Sequence, residues 1–385
     1  MKEGKEVMSS PEKLRGRVCR VGYAFNKKKL RNSAISSTVH VAQEVSSSII
    51  GDVVSNTGGW FGGGLASIVG LTGEESIFEG VQFFPFEEDG IYDVIIHKLT
   101  QDIDQKSSSS VEKIRVLTEY LLNHPETAIV DPIENVRNVL DRYRTLQCLR
   151  TTRDRLLLAK GECPFSVPIG VVIDKPNIDI KDLTENVGMS FPVICKPLVA
   201  CGIPDSHSLE IVMSSKGLVQ VQVQMPYLMQ KYHDHDDIFY KVYVIGDDVM
   251  ASSRRSLPNL SDVQIKADLQ SKDIHSISFD SRLPFPTLNH GVLKVDLVSD
   301  DDNNDGFSHK MITLSLHTRL KEIAVEIGSE LGLSLFGFDV ISAKDGQLYV
   351  IDVNFFPSYK DVHDFPSRLR AHLRDKASMT KWEEP

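Results

Sequence analysis

The chain has 385 residues, enough to bury a large core and to divide into two or three domains. Its net charge of −10 argues against general binding to nucleic acid or to an anionic membrane surface, so an anionic ligand would need local clusters of Lys and Arg. Five scattered cysteines without a Cys-x-x-Cys pair argue against a disulfide frame or a zinc ribbon and favour a reducing compartment; no signal peptide or membrane span of ~18 apolar residues is expected.

Residues 1–16 read as a polar tail. Arg17–Phe25 reads as a buried strand, with Lys27–Lys29 at its exit. Residues 31–80 form a Gly/Ser-rich insertion; its run Thr57–Gly64 lacks the Gly-Lys-Ser/Thr of a P-loop. Tyr92–Leu99 reads as a second buried strand that ends at Lys98. Open α/β sheets place ligands at the carboxyl ends of their strands, and Lys29 and Lys98 both fit that geometry. Val111–Leu122 is expected to be a helix, Ile129–Pro132 a short strand and turn, and Glu134–Arg150 one long basic helix.

Further on, Phe191–Pro197 reads as a strand bearing Lys196, and Ala200–His207 as a loop of small residues. Val221–Lys231 and Ile238–Ile245 read as strands joined by His233–Asp237. That polar joint suits a hinge between two lobes, with backbone groups available to an adenine ring. Zinc would require His233 and His235 to share a strand face, and the flanking acids indicate a loop. Lys241, Arg254 and Arg255 are further cations beside apolar strands. Each alone suits a solvated surface, but together they suit a polyphosphate pocket, because a desolvated phosphate must be charge-paired. Asp301–Gly306 resembles the start of a calcium loop, yet Ile312 stands where a bidentate Glu is needed. Met311–Leu331 is an amphipathic helix. Alternating strands and helices without an internal repeat indicate an α/β (α+β) protein.

The last pattern is a hairpin, Phe336–Tyr359, built around Asp345-Gly346. A two-residue turn there pairs Lys344 with Gln347 and places Asp339 opposite Asp352, with Asn354 on the same face. Two carboxylates and an amide oxygen suit Mg²⁺, which takes the rest of its shell from water and substrate phosphates. The other reading is a hairpin with solvated acids on one face. The chain has no Gly-x-Ser-x-Gly elbow, no His-Arg-Asp and no Asp-Phe-Gly. Phosphoryl transfer needs none of these, since positioning with cations and Mg²⁺ suffices.

Val21–Lys29, Asp93–Thr100, Phe191–Pro197, Ser206-His207, Tyr240–Gly246, Arg255–Asn259 and Ile351–Tyr359 together resemble the inositol 1,3,4-trisphosphate 5/6-kinase family, and Lys196–Gly202 resembles its plant branch. The resemblance implies an ATP-grasp fold with an N-terminal pre-ATP-grasp domain. In those terms residues 17–130 form the inositol-phosphate-side domain, 131–232 the small lobe and 233–375 the large lobe with the metal site, followed by a tail at 376–385. Asp339, Asp352 and Asn354 would hold Mg²⁺, as two ions with the nucleotide bound. Arg142, Lys196, Gln230, Lys231 and Ser256 would meet ATP. Lys29, Lys98, His207, Lys241, Asn354 and Ser358 would meet the inositol phosphate, and Lys241, Asp352 and Asn354 would carry catalysis.

The implied reaction moves the ATP γ-phosphoryl group to the 5- or 6-hydroxyl of inositol 1,3,4-trisphosphate, or to the 1-hydroxyl of a tetrakisphosphate. Reverse transfer would interconvert isomers. A cytoplasmic monomer with no nucleic-acid partner is implied; the nucleus is the other reducing compartment. The long spacing from Lys29 to Lys98, and Cys201 where many animal members have His, depart from the family pattern. Two rivals stand beside this reading. One is an ATP-grasp carboxylate ligase, which needs fewer substrate-side cations. The other is a non-catalytic inositol-phosphate-binding protein.

Overall fold

The computed structural model describes residues 18–25, 81–104, 107–176, 178–201, 204–283, 287–289, 292–294, 311–359 and 361–379. Lys29, the whole of the 31–80 insertion and the acidic loop 301–306 lie outside the described residues. The chain divides into two compact units, Met1–Asp131 with His363–Pro385, and Pro132–Val362.

In the first unit β1 (Cys19–Phe25), β2 (Val81–Pro85), β3 (Val94–Lys98) and β4 (Ala128–Val130) form a parallel sheet in the order β2-β1-β3-β4. Strand β3 is a continuous run of Val, Ile, Ile and His, all buried, as expected of a central parallel strand covered on both faces. Helix α1 (Ser108–Asn123) links β3 to β4 and is capped by Ser107, whose hydroxyl accepts from the Ser110 N–H at 3.2 Å.

The second unit opens with a helical pair. The helix expected over Glu134–Arg150 is two helices, α2 (Ile133–Leu140) and α3 (Arg142–Lys160), broken at Asp141. Asp141 is extended (φ −116°, ψ 121°), and its carboxylate accepts from the N–H groups of Tyr143 and Arg144 at 2.8 and 2.9 Å. The backbone on either side pairs with a distant loop: Arg142 N–H donates to Leu198 O and Ala200 N–H to Leu140 O, each at 2.8 Å. The break is thus a tertiary contact added to a good N-cap.

Two sheets follow. Strands β5 (Gly170–Ile173), β6 (Val193–Pro197), β7 (Ser208–Val212), β8 (Tyr227–Lys231) and, after β9 (Ile238–Ile245), β10 (Asp248–Arg255) and α4 (Val263–Ser271), β11 (Ser276–Asp280) are the next elements in the chain. The first sheet has the order β11-β7-β6-β8-β5. The strand expected from Val221 starts only at Tyr227, because Pro226 has no N–H for the ladder and Ser215–Gln220 forms a 3₁₀ turn. One face of this sheet buries Val193, Cys195, Val212 and Met229. The other carries Ile194 and Ile211 against Tyr232 and Leu260. Lys196, two residues beyond Ile194, shares that second face.

A small hairpin, β12 (Thr287–Asn289) and β13 (Val292–Lys294), precedes α5 (Leu314–Leu331). Helix α5 starts at Thr313, whose hydroxyl accepts from Leu316 N–H, and ends at Gly332 in the left-handed region. The second sheet has the antiparallel order β10-β9-β14-β15, with β14 (Leu335–Ser342) and β15 (Leu348–Phe355) as the anticipated hairpin. Helix α6 (Phe365–Met379) then contacts β1, β3 and β4 of the first unit through its buried face of Phe365, Leu369 and Leu373. By its contacts α6 packs with the first unit, and the second unit ends at Val362.

Candidate active site

The hairpin turn is not the expected two-residue one. Ala343 N–H donates to Gln347 O and Gly346 N–H to Ala343 O, each at 2.9 Å, so Lys344-Asp345-Gly346 form a three-residue loop. Gly346 takes φ +78°, the left-handed position that such a loop requires. This shifts the register by one, pairing Ser342 with Leu348 and Val340 with Val350. A β-bulge between Asp339 and Val340 then places Ile351 as the extra residue and restores Asp339 opposite Asp352. The facing acids anticipated from sequence are therefore present, but through two irregularities that cancel.

The bulge also has a partner. Lys196 on the other sheet donates from Nζ to the Ile351 carbonyl at 3.1 Å. Lys196 is buried, and burial pulls its ammonium pKa down to about 8, against the attraction of Asp352 and Asp339.

A row of residues crosses the second sheet in register: Ser252 on β10, Lys241 on β9, Asp339 on β14 and Asp352 on β15. Lys241 Nζ lies 2.9 Å from Asp339 Oδ1, and both side chains are more than four-fifths buried, with exposures of 18% and 17%. Burial, with the facing Asp352, raises the Asp339 carboxyl above its ordinary range, against the pull of Lys241. Asn354 Nδ2 donates to Asp352 Oδ2 at 3.1 Å. No hydrogen bond among the described residues reaches Asp339 Oδ2, Asp352 Oδ1 or Asn354 Oδ1. Three hard oxygen donors on one half-buried face fit a divalent cation, with oxygens of a bound phosphate needed to complete its shell. Among the described residues no group of three or more His, Cys, Asp or Glu makes an all-protein cage.

The other anticipated residues fall in several places. Gln230 and Lys231 end β8 just before the joint Tyr232–Asp237, which does link β8 to β9. Ser256 lies 2.6 Å through its hydroxyl from His235 Nε2. Arg142 is buried at the start of α3, and its guanidinium is largely occupied by backbone: Nη1 donates to Pro197 O at 2.7 Å and Val199 O at 3.1 Å, and Nη2 to Ser206 O at 3.0 Å. His207 follows, with Nδ1 3.3 Å from Ser281 Oγ. Burial, with Arg282 and Arg142 nearby, lowers the His207 pKa from its ordinary value. Ser358 is exposed on the turn after β15, and Lys98 ends β3 in the first unit.

One cluster was not foreseen. Asp361 Oδ2 accepts from Tyr243 OH at 3.1 Å and Ser252 Oγ at 3.0 Å, and the carboxylate forms an ion pair with Arg254. Tyr243, Ser252 and Arg254 alternate with β9 and β10 onto the face that carries Lys241. Tyr359 OH donates to Val244 O at 2.8 Å, so the turn bearing Ser358 is fixed at both ends. Nothing in the sequence around Asp361 signals a partner more than a hundred residues away.

Comparison with known proteins shows the family. The model of the inositol 1,3,4-trisphosphate 5/6-kinase ATP-grasp domain matches residues 160–375, and that of the pre-ATP-grasp domain matches residues 82–136. The fold is thus that of an ATP-grasp protein, a class that uses ATP and typically a divalent cation. The chain belongs to the inositol 1,3,4-trisphosphate 5/6-kinase family. Inositol-tetrakisphosphate 1-kinase of Xenopus laevis is 32% identical over 296 residues, covering 75% of this chain and 68% of that protein. The Danio rerio protein of the same name is 31% identical over the same shares. Inositol-tetrakisphosphate 1-kinase 3 of Glycine max is 27% identical over 73% of this chain and 71% of its own. Among the described residues no helix is long and apolar enough to cross a membrane.

Proposed function

We propose that this chain is an ATP-dependent inositol polyphosphate kinase. It transfers the γ-phosphoryl group to a hydroxyl of inositol 1,3,4-trisphosphate (5- or 6-position) or of an inositol tetrakisphosphate (1-position). The observation that carries the reading is the row Lys241–Asp339–Asp352 with Asn354, facing Lys196, in a chain of this family. Asp339, Asp352 and Asn354 would hold Mg²⁺, which when bound neutralises phosphate charge. Lys196 would contact ATP phosphates, with Gln230 and Lys231 at the base and Ser256 nearby; Arg142 would reach the nucleotide with the donors its carbonyl contacts leave over. Lys241 would stabilise charge on the moving phosphoryl group.

Lys29, Lys98, His207, Asn354 and Ser358 would bind the inositol phosphate. No dedicated general base is required, since the transition state is loose and positioning dominates. Scattered cysteines without a Cys-x-x-Cys pair suit a reducing cytoplasmic setting. Incubation with labelled ATP, Mg²⁺ and a panel of inositol tris- and tetrakisphosphates tests the reading. Phosphate transfer to at least one panel member is expected; tight inositol-phosphate binding with no transfer to any would overturn it.

A further inference from the structure

The joint between β8 and β9 contains two consecutive residues in the left-handed region, Asp236 at φ +55° and Asp237 at φ +57°. L-residues disfavour that region, and two in a row persist only where their surroundings over-determine them. Here the surroundings are one short segment after β10. Asn259 Oδ1 accepts from His235 N–H and Asp236 N–H, each at 2.9 Å. Asn259 Nδ2 donates to Asp236 Oδ1 at 2.9 Å, and the Asn259 N–H donates to Asp237 Oδ1 at 3.0 Å. Ser256 N–H donates to Asp237 O at 2.7 Å, and Tyr232 OH donates to Pro258 O at 2.7 Å. One amide side chain therefore satisfies two hinge donors and one hinge acceptor, across the part of the joint whose backbone is least comfortable.

From this geometry we infer that Asn259 is a positioning residue for the nucleotide, holding the joint 232–237 in the single shape that presents its backbone to ATP. The inference rests on reading that joint as the nucleotide-facing hinge. Asn259 touches neither ATP nor the inositol phosphate; it acts through His235 and Asp236. Without it the two left-handed residues relax, the binding-competent hinge becomes a minor form, and apparent ATP affinity falls by the fraction lost. The inositol-phosphate side, built on other residues, keeps its affinity.

Asp236 offers a sharper handle than deletion. Asn259→Asp keeps an acceptor for both hinge N–H groups but sets a second carboxylate against Asp236. Adding Asp236→Asn restores the side-chain hydrogen bond with its direction reversed, and Asn tolerates the left-handed backbone at 236. The experiment is calorimetric titration of the full chain with Mg²⁺ and ATP, together with KM for ATP and for the inositol phosphate. Asn259→Ala and Asn259→Asp should each weaken ATP binding on the order of tenfold. The inositol-phosphate KM should stay at the wild-type value, and kcat at saturating ATP should change far less than the ATP KM. The double variant Asn259→Asp/Asp236→Asn should recover most of the lost affinity.

Wild-type ATP affinity in Asn259→Ala would overturn the inference while leaving the kinase reading intact. An impaired Asn259→Asp that the second change does not rescue would do the same, and that arm decides the matter if Asn259→Ala does not fold. A wild-type chain that binds no ATP would overturn both readings together.

Discussion

Arg142 offers a decisive test, because sequence and structure assign its charge differently. By family resemblance its guanidinium serves ATP phosphates. In the structure it is buried and donates to the carbonyls of Pro197, Val199 and Ser206. Lysine keeps the charge but not the planar fork, and one ammonium at that position would hold about one of the three carbonyls. Two charge-assisted hydrogen bonds are then lost, at about 1.5–3 kcal/mol each. Arg142→Lys should therefore cost about 3–6 kcal/mol, a large share of the roughly 5–15 kcal/mol that holds a typical native protein together. Urea unfolding would show this as a lower midpoint with an unchanged slope. Loss of order in the loop leading to His207 should follow. If Arg142→Lys unfolds at the wild-type midpoint and only the ATP KM rises, the guanidinium's main partner is a phosphate and the argument from the carbonyls fails.

Three other outcomes are expected. Asp352→Ala removes a half-buried carboxylate whose protein hydrogen bond is to Asn354, so transfer should fall on the order of 10³-fold or more while far-UV circular dichroism stays wild type; ordinary activity would mean the hairpin acids are structural. Gly346→Ala places a Cβ in open space at φ +78°, so its cost is backbone strain alone, about 1–2 kcal/mol in thermal unfolding, and Gly346→Asn should cost less. His97 is fully buried with Nε2 2.7 Å from Asp131 O, and burial lowers its pKa from 6.5 to about 4. The unfolded chain binds this proton more readily than the folded one. Stability should thus fall as pH drops from about 6.5 to about 4, by up to roughly 3 kcal/mol, and His97→Gln should flatten that slope; an unchanged slope would refute it.

What was legible in the sequence followed from local chemistry. The apolar run Val94–Ile96, the strand Ile238–Ile245 and the amphipathic helix ending at Leu331 declare themselves by period and composition. So do the acids of the hairpin, since a face is a matter of alternation. The break at Asp141 is only half local: an Asp suits an N-cap, but the extended residue there is held by pairing of its neighbours with Leu198 and Ala200. Residues 221–226 have the composition of a strand, but Pro226 has no N–H for a ladder and the strand begins at Tyr227. The facing of Asp339 and Asp352 was anticipated with the wrong turn, and only the unforeseen bulge at Ile351 made the outcome agree. Asp361 and Asn259 were invisible for one reason: their partners lie at long range, and a single Asp or Asn in a loop carries no mark of what it will meet.

The bulge at Ile351 has an evolutionary corollary. Lys196 is tied to the opposite sheet through a main-chain oxygen, so no side-chain replacement at 351 deletes the acceptor. Substitution there keeps the acceptor, whereas a gain or loss of one residue inside the paired stretch Leu348–Ile351 would turn Asp352 to the other side of the sheet and withdraw the carbonyl as well. The spacing of the paired strand, rather than the side chain at 351, is therefore what keeps both the carboxylate and the carbonyl in place.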